Sequence, residues 1–551
     1  MTHAPEFPAI SSPTCQDETS TAQDESAPTI EPAQSISKVY TQLSQQCLDL
    51  LTEIDELHAL LKQTLRNPQL VEVRQFRSNV HSELRMLQKL EQQILSSAGS
   101  GQADAEAQDD SELEKRLMHA LRSSNLPFYQ AVWDIAKGSC EGLVALGKRF
   151  YWDDEVAIPE SKSKSTGNAD SKKQSNKDKR KSVFVDIVAD EGEEWVKVST
   201  LSETRLLFEM ANKGWERASE QEFSDDGSEG PPRTVLRNFE GEDDREDDDD
   251  DELELIKLAK DLRKAADAAR VRYKHPRLRV VLFKIQEGNS PEIDDIVNEM
   301  RSYGVEVVYQ NSLPVATGKS GLVHLLPQPF KKFTPTLNVD CTLLLAMVSD
   351  LSHVKDIAPS PSFHRAIVRQ IEVEKEKPLL PTELWPAMGE NELVCTNEAA
   401  TRMREIVETI GTETEKRRMM IMMGNSPYDH LDRASLVERF QQLSDYHVPT
   451  NWKVPIRTVD AQPIIDAGKT QGKLPAVAHE VSQNLSDINH SVFMYGWTTG
   501  MTTISSNRTI DKQIEMTIEK NRRGGDDIQG PSVWICDTAR SLVGKDKDRK
   551  A

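Results

Sequence analysis

The chain has 551 residues with 90 acidic and 68 basic side chains, giving a formal net charge of -22, and its mean hydropathy is -0.57. That length allows two or three domains with proper cores, while so polar a composition excludes a chain that is folded throughout. An even spread of negative charge would exclude non-specific nucleic-acid binding, but residues 240–254 alone hold 12 acidic residues and one Arg, so one tract supplies half the excess.

Residues 1–35 are rich in Ser, Thr, Pro, Asp and Glu and read as a disordered tail without a signal-peptide core, and residues 546–551 as a second tail. No later stretch approaches 18 uninterrupted apolar residues. The six cysteines (Cys15, Cys47, Cys140, Cys341, Cys395, Cys536) are scattered, with no zinc-type spacing. These features predict an intracellular protein, cytoplasmic or nuclear, with reduced thiols, no structural zinc and no membrane partner.

Residues 36–150 form a helical region. Leu50, Leu51, Ile54, Leu57, Leu60 and Leu61, then Val80, Leu84, Leu87 and Leu90, recur at helical spacing. They predict an antiparallel helical hairpin, joined near Asn67-Pro68, against a third helical stretch at residues 113–146. Phe128, Tyr129 and Trp133 are expected to fill that core. Residues 151–182 are a basic linker, in which 162–181 hold eight basic and two acidic residues. It reads as a solvated tether, with a nuclear localisation signal or nucleic-acid patch as the alternatives.

In "SVFVDIVADEGEEWVKVST" the period changes to two, predicting strands at 183–189 and 195–200 joined by an acidic turn with Gly192. A helix at 201–213 follows, then an acidic insertion at about 218–252 too charged to fold. "DELELIKLAKDLRKAADAARVRY" restarts as a helix. "RLRVVLFK", "PEIDDIVNEMRSYG" and "VEVVYQ" form one βαβ unit whose helix ends at Gly304, which implies parallel strands in a small α/β region over 183–325.

The final region, 331–545, alternates strands and helices. "TLNVD" leads into a helix over 342–351, and "ELVCT" into one over 397–410. Helical patches follow near Glu413 and Ala434, then "SVFMYG", "MTTIS", a helix from 509 to about 520 and the strand "SVWIC". The pattern predicts a parallel sheet with helices on both faces.

Asp340 stands at the carboxyl end of a strand, where open parallel sheets place their ligands. Two readings stay open: a ligand for Mg2+ or Mn2+, which would need further oxygen donors, and an N-cap of the helix "CTLLLAM". Weaker candidates fall away. "TGKS" at 317–320 lacks the first Gly of a P-loop, since that position is Leu313. Asp186 and Lys197 fit a restriction-endonuclease-like pattern of Asp followed by Glu-x-Lys, except that position 195 is Trp. Asp186 is therefore a polar residue near a turn or the relic of a metal site. The 12 histidines are dispersed and form no triad.

"LNVDCTLLLAMVSDLSH" resembles a eukaryotic family known by its domain of unknown function 1308, which in turn resembles the PIN-like nucleases. "VRQFRSNVHSELRMLQKL", "SSNLPFYQAVWDIA", "VFVDIVADEGEEWVKVST", "ELVCTNEAATRMREIVETIGTETEKRR" and "ISSNRTIDK" are similar to blocks of that family in the same order. The resemblance implies a PIN-like C-terminal domain. Its acids would come from the first strand, an early helix, a small helix before a late strand, and the end of that strand.

Asp340 matches the first acid. Glu398 is best placed for the second, with Glu405 two turns on, unless Glu398 simply pairs with Arg402 at i,i+4. The third is sought in "YGWTTGMTTIS", where Thr498 and Thr499 offer no carboxylate; the fourth position offers Asn507. Asp511, in the next helix, is expected to face water. With two of four acids missing, the resemblance implies a degenerate PIN-like protein acting as a non-catalytic nucleic-acid-binding or interaction module. The alternatives are a Mg2+- or Mn2+-dependent endoribonuclease with Asp340 and Glu398 catalytic and Asp340, Glu398 and Asn507 on the metal, and a protein-protein scaffold. RNA or a protein is the expected partner, with no cofactor unless the nuclease reading holds.

Overall fold

The computed structural model describes residues 32–64, 71–99, 107–152, 181–213, 252–313, 320–358, 363–522, 527–536 and 540–544. Most of the expected N-terminal tail, the Asn67-Pro68 junction, nearly all of the basic linker, nearly all of the acidic insertion, residues 317–319 of "TGKS" and the last seven residues lie outside that set.

The chain forms two compact units, one from Met1–Leu50 and Val80–Leu126, the other from Leu51–Asn79 and Pro127–Ala551. The expected helical region is thus divided between them. Helices Pro32–Thr64 and Arg74–Gly99 run antiparallel, as predicted. In the first unit the Cys47 thiol donates to Val80 O at 3.4 Å, and in the second Arg77 pairs with Asp55 at 2.7 Å. The first helix begins at Pro32, inside the segment read as tail.

The expected third helical stretch is two helices, Ala107–Arg122 and Leu126–Ser139, and the start of a strand. In the second unit Phe76 meets Tyr129 edge-on at 5.6 Å and stacks on Trp133 at 6.4 Å. Buried Trp133 donates its indole N–H to Glu53, which also receives Lys137 at 2.7 Å, so Trp133 is core, as expected, whereas Phe128 and Tyr129 are only partly buried at its edge.

Two five-stranded sheets fill the second unit. The first has strands β1 (Ala145–Trp152), β2 (Lys181–Ala189), β3 (Glu194–Ser202), β4 (Arg277–Lys284) and β5 (Val305–Tyr309), paired in that order. β1, β2 and β3 are antiparallel neighbours; β3, β4 and β5 run parallel, with helix Pro291–Ser302 crossing from β4 to β5. Gly304 ends that helix at φ +74, where a side chain would be strained. β1 overturns the reading of residue 146 as helical and 151 as linker. Its Gly147, Lys148 and Arg149 break the apolar alternation, and its partner β2 is 28 residues further along the chain.

The second sheet has β6 (Thr336–Val339), β7 (Glu392–Thr396), β8 (Arg457–Val459), β9 (Thr502–Ser505) and β10 (Val533–Ile535), all parallel. Its order is β10-β9-β6-β7-β8, flanked by helices, so the class is α/β as predicted. β8 had no counterpart in the sequence reading. The chain winds outward from β6 to β8, returns to the other side of β6 and ends at β10. The strand order therefore reverses between β6 and β9, which in doubly wound sheets opens a crevice at the carboxyl ends. No helix among the described residues is long and apolar enough to cross a membrane.

Candidate site at the switch point of the parallel sheet

Three adjacent strands end alike: each hands its chain to a helix through a polar residue. After β6, Asp340 takes the N-cap position of helix Cys341–Val348. At the end of β7, Thr396 caps helix Asn397–Ile410 by accepting from Ala399 N at 3.3 Å. After β9, Asn507 caps helix Arg508–Lys520 by accepting from Ile510 N. Such positions leave free amides pointing at the crevice, which is why short polar side chains are favoured there.

Asp340 is only 2% exposed. It sits at the N-cap without a side-chain cap bond of its own. Its Oδ2 instead accepts from Ser505 Oγ at 2.6 Å and from Thr342 Oγ1 at 2.7 Å. Each hydroxyl is then satisfied from behind: Ser505 Oγ accepts from Asn507 N at 2.9 Å and Thr342 Oγ1 from Ser506 N at 3.2 Å. Burial pushes the Asp340 carboxyl above the usual range, while the hydroxyls of Ser505 and Thr342 and the amides of Cys341 and Thr342 pull it back. Two hydroxyls, each held by a backbone amide, thus close around Asp340 Oδ2.

Beside it, Thr396 and Ser491 share a hydrogen bond of 3.0 Å, and fully buried Asn338 donates to Val492 O and Thr503 Oγ1. The helical run over 487–499 lies so close to the sheet that a Cβ on Gly496 would fall 2.1 Å from Thr503 Oγ1.

Glu398 lies in the first turn of its helix, half-buried, with Oε2 buried and unpartnered. The expected partner Arg402 turns to Glu405 instead, at 3.2 Å on the surface. Glu398 belongs to a group around His490, whose pKa is lowered by burial and by Lys469 and raised by Asp466, Asp487 and Glu398. Asp487 opens the helical run that precedes β9. That carboxylate lies 11 residues ahead of Thr498, outside the stretch in which the third acid was sought. The Asn507 carbonyl oxygen is engaged at the helix cap. The residue of β9 that faces Asp340 is Ser505.

Among the described residues no group of three His, Cys, Asp or Glu side chains is gathered in a way that could hold a metal ion. Asp340, Glu398 and Asp487 form no such group. A divalent ion needs several hard oxygen donors about 2 Å away, so these residues do not fit one.

Residues 337–433 match the family described as "Protein of unknown function (DUF1308)". No curated protein and no solved structure matches the chain. The DUF1308 segment carries β6, Asp340, Thr342, β7 and Glu398, whereas Ser505, Ser491, Asp487 and His490 come from later in the chain. The segment also contributes to a buried scaffold completed by Leu443 and Ser444 beyond its end. Arg418 donates to Asp350 at 2.6 Å, to Val348 O and, through Nε and Nη2, to Leu443 O, while Asp350 also receives Thr412 and Thr414. Buried His353 bridges Ser444 and Met347 O, with its pKa held well below the usual range by burial and Arg418, so it is a neutral core histidine.

Two other candidates resolve outside this site. Asp186 is buried and paired with Lys197 at 3.2 Å, and its Oδ2 accepts from Val198 N at 2.7 Å. Trp195, where an acid would be needed, is core and stacks on Phe150. Asp511 does not face water freely. It is half-buried in a cleft of about 370 Å3 with Tyr273, Phe333 and Trp534, and burial, then Glu515, pushes it up to about 6.

Proposed function

We propose that the chain is an RNA-binding module that has kept a nuclease-like α/β framework without hydrolytic activity. The observation that carries this reading is the state of Asp340. The carboxylate at the sheet's switch point is enclosed, satisfied by Ser505 and Thr342, and joined by no pair of further acids among the described residues. Hydrolysis of a phosphodiester by metal ions requires carboxylates that converge and stay open to solvent. Ser505, at the end of β9, adds no like charge beside Asp340 and offers no second negative group to grip a cation.

The test incubates the purified chain and its Asp340→Asn variant with labelled single-stranded RNA and Mn2+, following both cleavage and binding. Binding by both proteins without metal-dependent cleavage is the expected result. Cleavage by the wild type alone would replace this reading with a metal-dependent endoribonuclease. Neither binding nor cleavage would leave a protein-protein scaffold, with the acidic residues 240–254 as its handle for basic partners.

A further inference from the structure

The β1–β2 hairpin carries an aromatic and cationic surface that the switch-point site does not use. Its register places Arg149 opposite Phe184 and Tyr151 opposite Ser182, so these four side chains share one face. Phe184 is 38% exposed and Tyr151 58%, unusual for rings on paired strands of a folded sheet. Phe184 is held by its neighbours. Its ring lies over Gly147, where a Cβ would come within 2.9 Å, and φ +80 at Gly147 suits no other residue. Arg149 approaches the ring centroid to 5.7 Å and Lys197 to 5.4 Å, and Lys197 is anchored below by buried Asp186. Arg149 is exposed and makes no ion pair among the described residues. β2 begins at Lys181, the last residue of the basic sequence "KDKRK".

A fixed, open aromatic ring flanked by cations is complementary to a base and its phosphate, because stacking tolerates any base and the cations track the backbone. The adjacent hydroxyls of Tyr151 and Ser182 supply the donors and acceptors that a ribose 2′-hydroxyl needs. We propose that this hairpin face binds single-stranded RNA, with a base stacked on Phe184 and a phosphate on Arg149. The inference rests on the RNA-binding reading above and adds where binding occurs.

The experiment measures fluorescence anisotropy of a labelled 12-nucleotide uridine-rich RNA, and its DNA counterpart, against the full chain at two salt concentrations. Phe184→Ala should weaken binding about tenfold and Phe184→Trp should preserve it, which separates stacking from mere folding. Arg149→Glu, on an exposed strand position, should weaken binding and flatten its salt dependence. Wild-type affinity in both Phe184→Ala and Arg149→Glu would overturn the location while leaving RNA binding intact. Equal affinity for DNA would overturn the recognition of ribose, and absence of binding by the wild type would overturn both this inference and the function it rests on.

Discussion

Ser505 donates a 2.6 Å hydrogen bond to Asp340 across the boundary between β6 and β9, the neighbouring strands of the second sheet that lie farthest apart in sequence. In a metal-dependent nuclease that contact would be a gap filled by a cation between two acids. Here it is a hydrogen bond between an acid and an alcohol, and the first consequence concerns stability.

Asp340→Asn keeps an acceptor for Ser505 and Thr342, whereas Asp340→Ala leaves two buried hydroxyls unanswered. The expected loss is about 1 kcal/mol for Asn and roughly 2–4 kcal/mol for Ala. Urea denaturation compares them. If Ala costs no more than Asn, the hydroxyl network is not what holds this end of the sheet together.

Gly496 has no room for a methyl group, because Thr503 and Asn338 lie against it. The backbone of the 487–499 run would have to lift from the sheet. Gly496→Ala should cost on the order of 2–3 kcal/mol through overpacking, read as a lower thermal midpoint. An unchanged midpoint would mean that the run is less closely packed than the contact distance indicates.

Arg418 is 1% exposed and ties together two separate segments, donating to Val348 and Asp350 on one and Leu443 on the other. Removing a buried charge while leaving its partner in place is strongly unfavourable, so Arg418→Met should cost roughly 3–5 kcal/mol. In a cycle with Asp350→Asn, the double variant should lose less than the sum of the two single ones.

Asp511 titrates near 6 in the fold against 3.8 without it. A raised carboxyl favours the folded state while protonated, so this contribution is complete below about pH 4 and lost as pH rises to about 6. Asp511→Asn should therefore stabilise the protein above pH 6, with the gain vanishing below pH 4. Because the group is only half-buried, solvent screening reduces the effect to about 1 kcal/mol. Glu515, Arg508 and Lys512 also act on this carboxyl. A pH-independent gain would show that the carboxyl is not the titrating group.

Where local signals agreed with the fold, the sequence was enough. The helix Asn397–Ile410 was predicted to the residue, because Thr396 can cap it and Gly411 follows its last apolar turn. β4, its crossover helix and β5 were equally plain, since periods of two and 3.6 alternate cleanly there. The site was legible only in part. Asp340 stood out as a charge at a strand end, but its partners Ser505 and Thr342 are hydroxyls with no charge to betray them, and their pairing exists only through strand order. The approach of Glu398 and Asp487 to His490 was equally hidden, since it depends on how a late helical run packs beside an earlier helix. β1 was hidden because its cations and glycine look like linker until β2 lies beside them.

The strand order of the second sheet also bears on how the molecule is made. Asp340 and Ser505 are 165 residues apart, so at ordinary translation speeds on the order of ten seconds or more separate their emergence from the ribosome. Throughout that interval the flank of β6 that β9 will later cover stays raw. Nascent chains halted between these two points should accordingly be the ones that chaperones hold longest.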